Sequence, residues 1–428
     1  MLKSLLDAFK VPDLKKRILF VFAMFGIFVV GVHIPVGVDS TALKDLAERG
    51  GMLGLIDMFT GGAFKKFSIF ALGIIPYINA SIIMQLLTMA IPQLADLQKE
   101  GEPGQKKIRL WTRWMTGALS ILQAAGMAAW LNKAAGGNAI VGMQWVQVVL
   151  TLAAGTAFLM WLGEMITDKG IGNGVSLIIF AGIVAMLPFQ LQTVWAQLDA
   201  GVINWGNAVG LIAVFVLTIM AIVAVTLAQR KIPIQHVKRV VGNKIYGGQS
   251  SYLPLKVNSA GVIPIIFAIS LLMFPQTIAQ FLPATGGSKI VSFVRDAAVV
   301  ISPGRHIVGS LIYAALIIFF TYFYTAIMFN VPEVADNLKK WGSFIPGIRP
   351  GKPTMEYLDK VMTRITLAGA VFLAIIALAQ YYLPQWIGVT GFTLLGGTSL
   401  LIVVGVALET MQAIEAQLTM RHYEGFIK

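Results

Sequence analysis

Two pairs of isoleucines stand four residues apart in long apolar stretches of the chain. Ile78 and Ile82 form one pair, and Ile179 and Ile183 form the other. Residues at this spacing share one face of an α-helix. Aliphatic side chains offer an ion no ligand, and an aliphatic constriction closes to ions by expelling water. These residues could therefore form a seal, although isoleucines at this spacing more often face lipid or pack helices together.

Two short phrases recur in the chain. "GIIPYINA" at 73–80 returns as "GVIPIIFA" at 261–268, and "GVSLII" at 174–179 returns as "GTSLLI" at 397–402. Matches between apolar helices arise easily by chance, so each one alone is weak. In both matches the second copy lies five apolar segments after the first, which favours an internal repeat.

The repeats extend the isoleucine set to four segments. Ile78 aligns with Ile266, and Ile179 aligns with Ile402. An aliphatic residue or pair from each of four helices could then meet near the middle of a membrane. We therefore expect an apolar pathway between two halves of the chain.

The composition indicates lipid as the main solvent of this chain. Of its 428 residues, 57% are hydrophobic and only 12% are charged, and the mean hydropathy is +0.77. A soluble globular chain has about 25% charged residues. There is no cysteine, which excludes disulfides, thiol catalysis and cysteine-based metal sites.

A membrane-spanning helix needs about 20 mostly apolar residues. The predicted fold is therefore an all-α membrane protein with about ten transmembrane helices. The first apolar run follows a basic flank without a small-residue cleavage pattern and is interpreted as a retained helix. The ten predicted spans are roughly 18–35, 71–91, 115–131, 145–165, 175–194, 208–229, 259–281, 306–329, 363–384 and 394–415.

The distribution of basic residues predicts the orientation. Net charge is +13, and most lysines and arginines fall on one side if the N-terminus is cytoplasmic. The positive-inside rule then places both termini in the cytoplasm. In this topology the repeated phrases run in opposite directions. We therefore predict two inverted five-helix halves, residues 1–200 and 201–428, around a central pore.

Two inner loops, 230–258 and 330–362, are long, basic and rich in turn-forming residues. Setting the orientation of the chain in the membrane requires only a few basic residues. It does not explain why these loops are long or rich in turn-forming residues, and long loops are often functional. We predict that both loops protrude into the cytoplasm and dock a partner.

One apolar stretch, 50–64, is too short to span the membrane and is bounded by glycines. It could be an interfacial helix. It could also be a re-entrant helix, which requires surrounding protein or a water-filled cavity.

Ionisable residues are nearly absent from the span interiors. His33, Glu164, Glu409 and Glu415 lie toward span ends. Ion-coupled transporters usually carry buried ionisable residues, and no Walker, zinc or nucleophile motif is present. We expect a passive channel, with no enzymatic activity and no metal or other cofactor. The alternative is a secondary transporter of a small solute, which requires a polar site at the midplane.

The chain resembles the SecY family, the central subunits of the bacterial protein translocation channel, over essentially its whole length. The phrases that carry the resemblance are "MFTGGAFKKFSIFALGIIPYINASIIMQLL", "KEGEPGQKKI", "GIGNGVSLIIFAGIVA", "YLPLKVNSAGVIPIIFA", "ADNLKKWGSFIPGIRPGKPT", "YLDKVMTRITLAGA" and "GGTSLLIVVGVALE".

The resemblance implies a role for several residue sets. A pore ring would comprise Ile78, Ile82, Ile179, Ile183, Ile266 and Ile402. A re-entrant plug helix, about 52–63, would include Leu53, Leu55, Ile56, Met58 and Phe59. A lateral gate would include Pro76, Ser81, Gln85, Pro264 and Ser270. Partner docking would involve Arg230, Lys231, Lys238, Arg239, Lys244, Arg349 and Lys352.

The resemblance also implies partners and a location. SecE, SecG, the SecA motor ATPase, the ribosome, signal peptides, preproteins and anionic lipids are expected. Nucleic acid is expected only as ribosomal RNA in a docked ribosome. The location would be the bacterial plasma membrane. The function would be to pass unfolded polypeptides across the membrane and release apolar segments laterally into lipid.

Overall fold

The computed structural model describes most of the 428 residues. The described residues are 7–38, 57–134, 140, 142–236, 239–241, 244–246, 250–281, 297, 300–301, 303–304, 306–388 and 397–425.

Helices dominate the described residues, and ten of them overlap the ten predicted spans. The helices are α1 (Pro12–Val32), α2 (Ile75–Ala90), α3 (Pro92–Lys99), α4 (Glu102–Ala134), α5 (Met143–Lys169), α6 (Gly174–Asp199), α7 (Trp205–Leu227), α8 (Ile263–Phe281), α9 (Ile307–Met328), α10 (Val331–Lys340), α11 (Lys352–Ile387) and α12 (Gly397–Gly425).

Within the described residues, six helical stretches are long and apolar enough to cross a membrane. They are α5, α6, α7, α9 with its continuation, α11 and α12. The pair α2 and α3 makes a seventh if it counts as one span, bent by 101°. The bend follows from Pro92, because the residue before a proline is pushed out of the helical region, and Ile91 is extended.

The first repeated phrase has the same backbone conformation at its glycine and the same helix start in both copies. Gly73 has φ 57° and Gly261 has φ 64°, a left-handed conformation that favours glycine. A helix begins two residues after each glycine, at Ile75 and Ile263. A proline follows in the first turn, where its missing N–H costs little. The repeat is therefore structural as well as sequential.

The second repeated phrase also begins a helix in both copies. Gly174 starts α6 and Gly397 starts α12. A methyl group at Gly174 would lie 1.9 Å from the carbonyl oxygen of Gly163, and one at Gly397 would lie 1.9 Å from that of Ile376. Each glycine thus allows its helix to touch the backbone of the preceding long helix.

A third pair of glycines repeats this arrangement. A methyl group at Gly155 of α5 would lie 1.9 Å from the carbonyl oxygen of Ile69, and one at Gly369 of α11 would lie 2.5 Å from that of Val257. Ile69 and Val257 each stand four residues before the glycine of the first phrase. Equivalent close contacts therefore position equivalent helices in the two halves.

One large hydrophobic cluster joins the two halves. It contains buried side chains from α1, α2, α5, α6, α7, α8, α9, α11 and α12, among them Phe28, Leu159, Ile183, Tyr313 and Ile402. Because its members come from both ends of the chain, the halves share one core.

The two loops predicted to protrude into the cytoplasm, 230–258 and 330–362, contain strands that the sequence pattern did not indicate. The strands are β1 (Gln229–His236), β2 (Arg239–Val241), β3 (Lys244–Tyr246), β4 (Ser250–Lys256) and β5 (Ser343–Phe344). Strand β1 pairs antiparallel with β4 and with β5, and β2 pairs with β3. The sequence pattern predicts protruding loops and no sheet, because the pairing of Gln235 with Phe344 joins residues far apart in sequence.

The sheet and the second loop share a small core of their own. Ile232 and Leu255 of the sheet pack with Val331 of α10, Ile345 and Leu358 of α11. The two loops therefore form one folded unit, which we call the loop module (229–256 and 331–362).

Candidate functional site

A small cavity lies where helices from both halves meet. Its volume is about 20 Å³, and a cavity needs about 10–15 Å³ to hold one water molecule. The residues that line it are Phe59, Thr60, Ile74, Ile75, Ile78, Ile179, Ile266 and Ile402.

The lining is almost entirely apolar. Thr60 carries the only hydroxyl among the lining side chains, and that hydroxyl donates to the carbonyl oxygen of Asp57 at 3.0 Å. A water molecule needs two to four polar partners to be held in a cavity. The constriction is therefore unsuited to holding water or an ion.

Four of the six predicted ring isoleucines line this cavity. Ile78, Ile179, Ile266 and Ile402 come from α2, α6, α8 and α12, two helices from each half. In each copy of a phrase the isoleucine stands five residues after its glycine. Because each helix begins at its glycine or two residues after it, the two isoleucines of each repeated phrase occupy equivalent positions in their helices.

The other two predicted ring residues do not line the cavity. Ile82 is 8% exposed and Ile183 is fully buried, and both belong to the core cluster around the cavity. Each is one helical turn beyond the lining isoleucine of its helix. Ile74, Ile75 and Thr60 line the cavity but were not predicted, although Ile74 and Ile75 belong to the repeated phrase.

The predicted plug is described only at its C-terminal end. Leu53, Leu55 and Ile56 lie outside the described residues. Met58 is buried, and its sulfur accepts from Nε2 of Gln190 at 3.6 Å. Phe59 lines the cavity beside the isoleucines. The end of this segment therefore meets the predicted ring.

A compact turn holds this end of the segment. The carboxylate of Asp57 accepts from the backbone N–H of Lys65 at 2.7 Å, and its carbonyl oxygen accepts from the N–H of Gly62 at 2.8 Å. Asp57 is 5% exposed, and this burial raises the pKa of its carboxyl, a rise that the Lys65 N–H and the charges of Lys65 and Lys66 oppose.

The predicted gate residues belong to two helices that pack against each other, α2 and α8. Pro76 and Pro264 are buried in the first turns of these helices. Ser270 is partly buried on α8.

Ser81 and Gln85 take part in a different contact. Nε2 of Gln85 donates to Oγ of Ser81 at 3.3 Å, and both line a cavity of about 240 Å³ between α2, α3, α4 and α5. Next to it, Arg113 and Glu164 form a two-point ion pair, with Nε to Oε1 at 2.8 Å and Nη2 to Oε2 at 2.7 Å. Sequence spacing does not indicate this pair, because α4 and α5 must pack together before it can form.

The predicted docking residues lie in or beside the loop module. Arg230, Lys231, Arg349 and Lys352 are exposed. Arg239 and Lys244 belong to β2 and β3, and Lys238 lies outside the described residues.

The exposed Arg349 stands on a well-defined turn. Its carbonyl oxygen accepts from the buried hydroxyl of Thr354 at 2.8 Å, and Gly347 has φ 82°. The backbone of Arg349 is therefore held at a defined place on the module, with its side chain exposed.

Within the described ranges, no group of three His, Asp or Glu side chains could hold a metal ion.

Comparison with known proteins gives consistent matches. The SecY family model matches residues 68–411. The protein translocase subunit SecY of Streptomyces galbus is 46% identical over 445 residues, covering 100% of both chains. A solved structure of a protein-conducting channel matches with a TM-score of 0.66 and 19% identity, covering 94% of this chain and 92% of that one. Sec61 in the canine ribosome–channel complex matches with a TM-score of 0.63 and 17% identity, at the same coverage.

Proposed function

Because the chain belongs to the SecY family and is a protein translocation channel, we propose that its conducting path runs through the cavity lined by Ile78, Ile179, Ile266 and Ile402. Ile82 and Ile183, one turn further along α2 and α6, complete the ring when the path widens. The observation that carries this proposal is the convergence of four aliphatic side chains from both halves on one cavity of about 20 Å³.

The physics of the constriction explains its selectivity. A hydrated ion would have to lose water where no ligand replaces it, and such constrictions gate by dewetting. An unfolded polypeptide meets no obligatory hydrogen bonds there and can pass regardless of sequence. A small-solute transporter would need a polar site at this point, whereas the lining carries a single hydroxyl that already donates to Asp57.

The end of the plug segment closes the constriction from one side. Phe59 and Thr60 share the cavity with the ring, so displacement of 52–63 would open the path. The buried Met58 and the turn around Asp57 support this role, because they anchor the segment beside the pore.

Lateral release of apolar segments requires α2 and α8 to part. These helices pack directly against each other, and their first turns carry Pro76 and Pro264. A passing segment would then partition into lipid with about −0.3 to −0.6 kcal/mol for each Leu, Ile, Phe or Val. Ser81, Gln85 and Ser270 belong to the same two helices and complete the proposed gate.

The loop module docks the partner that drives transport. Its exposed basic residues Arg230, Lys231, Arg349 and Lys352 suit an acidic protein surface or ribosomal RNA, and Lys238, Arg239 and Lys244 extend the same loop. The canine structure matched by this chain is a ribosome complex. By family membership we assign the SecA motor or the ribosome to this surface, SecE and SecG as further subunits, and signal peptides and preproteins as substrates.

The chain itself supplies no energy and catalyses no reaction in this proposal. It is a membrane protein of a bacterial type, and we place it in the plasma membrane with both termini in the cytoplasm and anionic lipid around its basic flanks. The two halves, 1–200 and 201–428, part to open the gate.

The test is reconstitution with a SecA motor and a preprotein, with import and ion conductance measured together. We expect Ile78→Asn to raise conductance strongly. Ile83→Asn, at an exposed position on the same helix, is the matched control and should leave conductance near the wild-type value. Wild-type conductance in folded Ile78→Asn would contradict the proposed path.

A further inference from the structure

Gly182 of α6 touches the backbone of the plug segment. A methyl group at Gly182 would lie 2.6 Å from the carbonyl oxygen of Phe59 and 3.2 Å from the amide nitrogen of Gly61. Conversely, a methyl group at Gly61 would lie 3.2 Å from Cα of Gly182. Carbon atoms do not approach a backbone oxygen to 2.6 Å, so only glycine at 182 permits this contact.

Gly182 is one of three residues that meet the segment along the same helix face. Met186 follows it by four residues, and its sulfur lies 2.9 Å from where a methyl group at Gly62 would be. Gln190 follows by four more, and its amide donates to Met58 at 3.6 Å. Residues four apart share a helix face. We call Gly182, Met186 and Gln190 the plug seat.

The plug seat lies beside the ring on the same helix. Gly182 stands between Ile179, which lines the cavity, and Ile183, which is fully buried. Ile179, Ala181 and Ile183, which flank Gly182 in sequence, all belong to the core cluster that packs this helix. A group added at Gly182 would therefore displace the short turn of the plug segment and not the 26-residue helix.

We infer that Gly182 is a positioning residue for the closed channel: its missing side chain lets the plug segment reach the ring. This inference rests on the proposed role of residues 52–63 as the plug. It extends that role by assigning the receiving surface, which the sequence analysis did not identify.

The absence of cysteine allows a direct test. Met58→Cys introduces a single thiol at a position that is 1% exposed. In the full chain reconstituted in vesicles, its rate of modification by a water-soluble maleimide reports release of the segment from its seat. We expect Gly182→Ala to raise this rate by about tenfold or more, as expected when a local opening becomes more favourable.

Gly117→Ala is the matched control, because a methyl group at Gly117 meets no atom within 4 Å. It should leave the thiol protected. An unchanged rate in Gly182→Ala, or an equal increase in Gly117→Ala, would overturn the inference. If Gly182→Ala does not fold, Met186→Ala tests the same seat by removing a side chain, and an unchanged rate in that variant would also overturn it.

Ion conductance of the same vesicles separates this inference from the proposed function. Thiol exposure together with leak supports both. Faster thiol modification in Gly182→Ala without a rise in ion conductance supports the plug seat, but counts against the proposal that the plug seals the channel. A rise in ion conductance without faster thiol modification overturns the inference about the plug seat. It leaves the proposed sealing role of the ring in place.

Discussion

Ile179 and Ile402 line the same cavity, and each stands five residues after the glycine that begins its helix. Both glycines would place a methyl group 1.9 Å from a carbonyl oxygen of the preceding long helix. Both halves therefore place a cavity-lining isoleucine five residues after a glycine that makes a close helix contact.

The first prediction concerns side-chain volume in the ring. Ile402→Leu should keep the channel closed to ions, because the volume is conserved. Ile402→Ala should enlarge the cavity of about 20 Å³ enough to admit more water, and conductance should rise. Conductance of reconstituted vesicles checks both variants, and equal leak from the two would argue against a volume-based seal.

The second prediction concerns the repeated glycine contacts. Gly155→Ala and Gly369→Ala should each destabilise the protein, by about 1–3 kcal/mol or more, because overpacking forces the backbone to move. Thermal unfolding in detergent measures the effect.

The control for both variants is Gly117→Ala, whose added methyl group meets open space. It should be close to neutral or slightly stabilising, since alanine is the better helix former. A large loss in this control would show that the effect does not come from the backbone contacts.

The third prediction concerns the position of Ile402. The hydroxyl of Thr398, one turn before it, donates to Oε1 of Gln380 on α11, and both side chains are at least 92% buried. Thr398→Val should leave this oxygen unpaired, at a cost of about 1–3 kcal/mol, and should raise ion leak by loosening α12. Thr398→Ser keeps the hydroxyl and should behave like the wild type in both assays.

The fourth prediction concerns docking. Arg349→Glu should strongly reduce motor-driven import, since it reverses an exposed charge on a structured turn. Thermal stability and ion conductance should be unchanged. Lys169→Glu, at an exposed site at the end of α5, is the control. Normal import after Arg349→Glu would remove this residue from the docking surface.

The fifth prediction concerns pH. Burial raises the pKa of Asp57 above its usual 3.8, so the native state binds its proton more tightly than the unfolded state. Stability should therefore fall as pH rises through the interval between the two pKa values. Asp57→Asn keeps an oxygen for the Lys65 N–H and should lack this fall. The difference in melting temperature between the two proteins, followed from acidic to neutral pH, checks it.

The sequence was sufficient to predict the repeat and the ten helices that overlap the predicted spans, but not the short helices α3 and α10. Apolar length located ten helices, and the phrases at Gly73 and Gly174 predicted their counterparts because the same backbone contacts recur. The loop module was not predicted as a sheet, since β1 contains Pro233 and two charged residues, Arg230 and Lys231, and pairs with a distant strand. The contact at Gly182 also could not be predicted, because it depends on how closely two backbones approach.

The loop module has a mechanical consequence for the gate. Strand β4 ends at Lys256, and α8 begins only a short turn later at Ile263, while Nζ of Lys256 donates to Gln412 of α12 at 3.2 Å. In the proposed function, a partner bound to the sheet is therefore connected through this short turn to the first turn of α8, one of the two proposed gate helices. A force exerted on that partner would then act directly on the contact between α2 and α8.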